Sequence, residues 1–349
     1  MNRLYNLDYL RGLAALGIMI YHYLTWTVGK FSADTFMGRL GIYGVSIFYV
    51  LSGLTLYLVY YNKMEPSKQD LLAFFKKRIF RIFPLLWLVT FTAILLSRKM
   101  PDPTNLFLNL TGLFGFVRWD KYFSTGVWSI GNELVFYVFF PFFILFIKRL
   151  KPLMIVMTFV LFSLYLYFAF VKLDTGITLA EQWRNYVNPL NQVFLFLGGF
   201  LIGFFFQNAK VKNSVILALL LVTSSVFIFF PATGNTINIV TGVSRLVFTA
   251  CCFLICFGFF KLTFRFPKFI HKPLTLLGES SYSVYLLHPF VFTVTSFGTG
   301  LVTKYIFHFP ASANLVLSAV LTLIVSYFVY QHFEKYFMKL GRTATNSPA

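Results

Sequence analysis

An all-α bundle of about ten membrane-spanning helices is the fold this sequence predicts, and three patterns predict it. Of its 349 residues, 58% are hydrophobic and only 12% are charged, with a mean hydropathy of +0.74, well away from the balance of a water-soluble domain. The apolar residues gather into runs near the ~20-residue length that carries a helix across the hydrocarbon core. The basic residues fall between those runs, more on one side than on the other. A net charge of +19 would suggest nucleic acid in a soluble chain. Distributed in this way it marks topology against anionic lipid, and no nucleic-acid partner is expected.

Taken in order, the candidate spans lie near 9–28, 40–60, 80–97, 127–147, 153–171, 190–207, 213–230, 238–260, 276–298 and 312–333. With the N-terminus inside, the cytoplasmic segments hold twenty of the 30 basic residues and the outer segments nine, Arg39 among the latter, with Arg245 left inside a span. That bias predicts both termini in the cytoplasm. Arg245 suits a buried pair with an acid or an acceptor phosphate. The first run follows Arg3 and Arg11 without a small-residue cleavage site, so it is expected to stay as a signal anchor. One membrane domain over 1–334 and a short cytoplasmic tail over 335–349 are the simplest partition.

Two outer loops stand out. The stretch 98–126 is too polar and broken to cross, although 106–117 suits a short re-entrant or surface helix. In 172–189, Trp183-Arg184-Asn185-Tyr186 suits an interfacial belt or sugar stacking. Cys251, Cys252 and Cys256 share one apolar span and read as core packing, with no metal site expected. Ser52-Gly53 and Gly198-Gly199 read as points of close helix approach.

The first helix carries the least expected residues. An ionisable group inside a membrane span costs several kcal/mol unless it is partnered or lines a wet cavity, which makes it a functional candidate. Arg11 and His22 lie eleven residues apart, about three turns, so they share a face roughly 16 Å apart along the axis. Asp8 joins them one turn earlier.

These residues also carry a resemblance. Leu7-Asp8-Tyr9-Leu10-Arg11-Gly12 followed by His22 resembles the first-helix signature of the acyltransferase-3 family of integral membrane acyltransferases. Four further blocks follow in the family's order: Gly44 to Gly53; Lys77-Arg78-Ile79-Phe80-Arg81-Ile82-Phe83-Pro84 with Trp87; Trp128 to Pro141 with Glu133; and Leu277 to Pro289. The resemblance implies transfer of an acyl group, often acetyl from acetyl-CoA, to a hydroxyl of a cell-surface polysaccharide or lipid-linked glycan, in a multi-pass protein of the bacterial inner membrane. Some relatives add a hydrolase-like domain, which this chain is expected to lack.

Such a reaction needs a base, an oxyanion stabiliser and a site for a polyanionic donor. His22 suits the base or a transient acyl carrier, and Glu133 a partner that orients it, meets the acceptor or locks an arginine. Arg78 and Arg81, three apart on one helix face, suit the phosphates of CoA together with Arg11. Asp8, Trp128, Tyr282 and His288 are substrate-side candidates, the last two with Tyr285 in a polar stripe. The expected cavity runs from Arg11, Arg78 and Arg81 to His22 and Glu133. A transporter or flippase of a lipid-linked glycan would share the cationic cavity but would not depend on acyl-CoA, and a non-catalytic scaffold or sensor would tolerate loss of His22 with no chemical change in the envelope.

Overall fold

The computed structural model describes residues 4–264 and 266–343, so Arg3, Arg265 and residues 344–349 of the expected tail lie outside the described residues. The described chain is helical, in the order α1 Tyr5–Thr27, α2 Phe36–Tyr60, α3 Lys68–Ser97, α4 Pro103–Thr111, α5 Phe114–Val117, α6 Val127–Arg149 and α7 Lys151–Tyr167. There follow α8 Trp183–Tyr186, α9 Pro189–Phe206, α10 Asn213–Phe229, α11 Gly242–Lys261, α12 Lys268–Glu279, α13 Ser281–Tyr305, α14 Ala311–Val329 and α15 Lys335–Thr343. Single π turns at Phe168–Lys172 and Tyr330–Glu334 extend α7 and join α14 to α15.

Eight of these segments are long and apolar enough to cross a membrane. The two remaining expected spans fall short for different reasons. Helix α1 has 23 residues but is diluted by Asp8, Arg11 and His22, whereas α10 is apolar but only 17 residues long. Two boundaries also shift. Helix α3 begins at Lys68, a dozen residues before the apolar run, because Ser67 caps it by accepting from the Asp70 amide at 3.2 Å. The run expected at 276–298 divides at Ser280 into α12 and α13. As expected of 106–117, α4 and α5 are short helices, α4 being capped by Asp102 and ended at Gly112 with φ +76°.

Helix α2 is the centre of the bundle: 72% of its most apolar stretch is buried in protein, against 17% for Ala311–Arg342. Side chains such as Phe159, Leu221 and Phe229 point outward at 70–78% exposure. That surface suits lipid. The α2/α9 crossing depends on two glycines, since a Cβ on Gly53 would stand 1.9 Å from the Phe196 carbonyl oxygen and one on Gly199 would stand 1.9 Å from that of Val50. Gly53→Ala therefore forces backbones apart and is expected to cost about 1–3 kcal/mol, read as a lower thermal midpoint in detergent; an unchanged midpoint would refute the tight crossing. A second close approach, Gly12 against Gly278, sets α1 beside α12.

Two arginines stabilise the bundle rather than a ligand. Arg39 lies inside α2, not in an outer loop, and its guanidinium donates to the carbonyls of Ala33, Phe227, Ile228 and Phe230 at 2.7–2.9 Å, capping the C-terminal end of α10. Arg245 donates to Asn191 Oδ1 at 2.6 Å and to the Asn191 carbonyl at 3.0 Å, with Tyr165 under its guanidinium at 4.3 Å. Its partners are neutral oxygens and a ring; of the two expected roles, the pairing with an acid is not seen among the described residues. The three cysteines are unpaired and buried, as core packing requires.

Candidate active site

Helices α1, α2, α3, α6, α13 and α15 enclose a cavity of about 510 Å³, within the usual range for a small-molecule site. Its wall is chemically one-sided. Arg11, Lys63, Lys77, Arg78, Arg81 and Arg342 contribute six cations, against the carboxylates of Asp70 and Glu133 among the described wall residues. One end lies where α2 finishes and α3 begins, at Lys63, Met64 and Asp70, and Met338 and Arg342 join the wall from α15. The other end lies between Phe48, Ser129 and Tyr285.

Helical spacing aims the wall residues. Arg78 and Arg81 leave α3 from one face, and Ser129, Glu133 and Tyr137 recur every four residues along α6. Arg78 is held under three rings, its guanidinium carbon 5.7 Å from the Tyr60 and Tyr137 centroids and 6.0 Å from that of Phe74. Its Nη2 reaches the Tyr60 hydroxyl at 3.4 Å, while its buried Nε has no hydrogen-bond partner. Arg11 donates to the Thr55 hydroxyl at 2.9 Å and ion-pairs with Asp8 at 3.4 Å. Thr55 donates its own proton to the Leu51 carbonyl at 2.6 Å, so its oxygen is free to accept. Asp8 thus orients Arg11 from outside the wall.

Glu133 joins the arginines, and His22 does not. The Glu133 carboxylate accepts from Ser52 Oγ at 2.8 Å and from the Tyr137 hydroxyl. Arg11 lies within its electrostatic reach. Ser52, read in the sequence as packing, leaves that role to Gly53 and spends its hydroxyl on Glu133. Tyr282 is a wall residue whose hydroxyl donates to the Ile82 carbonyl at 2.9 Å, tying α13 to α3.

His22, His288, Asp8 and Trp128 are absent from the wall. The expected cavity from the arginines to His22 is corrected in one respect: its wall reaches the Phe48 and Tyr285 rings, 5.8 Å apart, and does not include His22. Tyr285 is fixed there by hydrogen bonds to Ser129 Oγ at 2.9 Å and the Gly126 carbonyl at 3.1 Å. His288 lies next to it, with ring centroids 6.2 Å apart. Trp128 belongs to an aromatic group at the end of the bundle away from Lys63, 5.4 Å from Trp183 and 6.0 Å from Tyr186. Trp183 donates to the Tyr122 hydroxyl at 2.9 Å and Trp119 to the Arg184 carbonyl at 2.8 Å, so the two loops singled out in the sequence meet.

The partner of His22 is His288. His22 Nδ1 and His288 Nε2 are 2.9 Å apart, the rings stacked at 5.0 Å, and Trp26 stacks on His22 at 5.3 Å. His288 Nδ1 stands 3.1 Å from the Val284 carbonyl, which only accepts, so this nitrogen carries the proton. His288 Nε2 must then accept from His22 Nδ1–H, and the lone pair of His22 falls on Nε2. A neutral dyad with one directed basic nitrogen results. The buried Tyr23 hydroxyl bonds to the His288 carbonyl at 2.9 Å and to Thr322 at 2.6 Å, which fixes the register of α1, α13 and α14.

A family model described as an acyltransferase domain, that of the acyltransferase-3 family, matches residues 4–331. The chain belongs to this family. It is similar to O-acetyltransferase OatA of Staphylococcus aureus strain NCTC 8325 / PS 47, and equally to those of strains COL and MRSA252. Each is 26% identical over 366 aligned residues, covering 96% of this chain and 57% of the relative. The chain therefore spans little more than half the length of these relatives. No solved structure matches. All the functional candidates of the acyltransferase-3 chain fall inside the matched residues. Sequence reasoning missed several wall residues, among them Thr55, Tyr60 and Phe74, and two of those it missed as site residues, Met338 and Arg342, fall beyond the match.

Proposed function

We propose that this acyltransferase-3 protein moves an acyl group, acetyl above all, from acyl-CoA to a hydroxyl of a cell-envelope polysaccharide or lipid-linked glycan. The single observation that carries the donor is the cavity wall: six cations against two carboxylates, with a buried guanidinium nitrogen left without a partner. A buried, unpaired arginine nitrogen is costly unless an anion completes it, and the forks of Arg78, Arg81 and Arg11 suit phosphates. The acceptor class follows the family and the O-acetyltransferase relatives.

In this reading the chain crosses the bacterial inner membrane ten times, α1 and α10 included, with both termini and the cationic mouth in the cytoplasm. The donor's phosphates rest on the arginines and its thioester on the Ser129 and Tyr285 end. His22 Nε2, beyond Tyr285, takes the proton of the acceptor hydroxyl as the new ester C–O bond forms and the thioester C–S bond breaks, and the proton passes on to the departing thiolate. Because His22 stands outside the donor cavity, it meets the acceptor, which favours a base over an acyl carrier. Glu133, hydrogen-bonded to Ser52 and Tyr137, sets the position of the arginines rather than that of His22.

The test is to incubate the purified protein with acyl-labelled acetyl-CoA and envelope glycan. Free CoA together with label on the glycan is the expected result. Label retained on His22 would replace the base by a carrier, and absence of CoA release would move the protein to the glycan-transporter class.

A further inference from the structure

Helix α15 lies past the family match, which ends at residue 331, yet it forms part of the cavity. The π turn at Tyr330–Glu334 sets its exit from α14, and the buried Glu334 carboxylate in that turn accepts from the Ser283 hydroxyl of α13. Helix α15 then lies along α3: a Cβ on Gly341 would stand 2.8 Å from Phe80 Cβ. Met338 and Arg342, four residues apart and so on one face, enter the wall beside Lys77 and Arg81. The segment that sequence alone presents as a tail is thus the outer wall of the site.

We propose that α15 completes the acyl-donor site and that Arg342 holds the phosphate at the nucleotide end of CoA. This rests on the acyl-CoA reading above. In that reading the thioester lies at the Ser129 and Tyr285 end, nearest His288 and His22, which leaves the nucleotide end on the side where Arg342 is exposed to solvent. A guanidinium there offers a fork to a phosphate monoester, while Arg78 and Arg81, less exposed than Arg342, remain for the pyrophosphate.

The experiment is a titration of the full-length, detergent-solubilised protein with CoA and with dephospho-CoA, which lacks the 3′-phosphate, for wild type, Arg342→Ala and Arg342→Lys. The expected result is that Arg342→Ala raises the Kd for CoA about five- to tenfold, as for a charge-assisted contact partly open to water, and leaves that for dephospho-CoA unchanged. Arg342→Lys should restore part of the difference. Equal CoA affinity in wild type and Arg342→Ala overturns the proposal while the donor reading stands. An equal loss for both ligands also overturns it, since Arg342 then does not read that phosphate. Wild type that binds neither ligand removes the donor reading itself.

Discussion

His22→Ala lowers acyl transfer by about 10²- to 10⁴-fold, the range that a positioned general base supplies, and leaves the affinity for CoA unchanged. The two halves of this expectation come from different parts of the molecule. The loss follows from the hydrogen-bond chain Val284 carbonyl, His288, His22, which places the one lone pair of the dyad on His22 Nε2. The unchanged affinity follows from the absence of His22 from the cavity wall. His22→Gln separates chemistry from packing, because its amide still donates toward His288 but takes up no proton at neutral pH. It should match alanine in rate and wild type in thermal midpoint. Single-turnover rates together with equilibrium CoA titrations provide the measurement, and transfer by His22→Gln at the wild-type rate would remove the base.

Arg78→Ala has the opposite signature. Truncating a desolvated arginine that pairs with a phosphate costs about 2–5 kcal/mol, at least roughly a 30-fold rise in the Kd for CoA. The unliganded protein should be no less stable, and even more so, because the variant removes a buried cation whose Nε has no partner. Arg78→Lys keeps the charge but loses the fork and the stacking over Tyr60, Phe74 and Tyr137, so it is expected to recover only part of the affinity. Calorimetric titration with thermal melts reads both quantities. Wild-type CoA affinity in Arg78→Ala would overturn the donor site, whereas a lower melting temperature with matched affinity would make Arg78 a structural residue.

Much of this could be read from single helices. The pairing of Arg78 with Arg81, the common face of Asp8 and Arg11, and the Gly53 and Gly199 approach all follow from helical periodicity and side-chain size. Tyr137 was within reach of the same reasoning, one turn after Glu133 on α6. What could not be read is the partner across a helix interface. Nothing local distinguishes Glu133 from His288 as the companion of His22, since both are polar groups in apolar runs. The partners of Arg39, counted with an outer segment, and of Arg245, left open between an acid and a phosphate, were likewise out of reach, because a backbone carbonyl is a partner for arginine that no side-chain pattern advertises.

The sequence by itself determined that this is a helical membrane bundle, which residues share a face along each helix, and to which family the chain belongs, because transfer free energy and the 3.6-residue turn act on contiguous residues. The tertiary structure alone decided which faces meet. The Gly12 and Gly278 contact sets α1 beside α12, and the Ser280 break lets α13 carry His288 up to His22. The same arrangement places Tyr285 in the wall of the arginine cavity and brings α15 onto α3. Long-range packing fixes those registers, and with them the separation of the cationic cavity from the histidine pair.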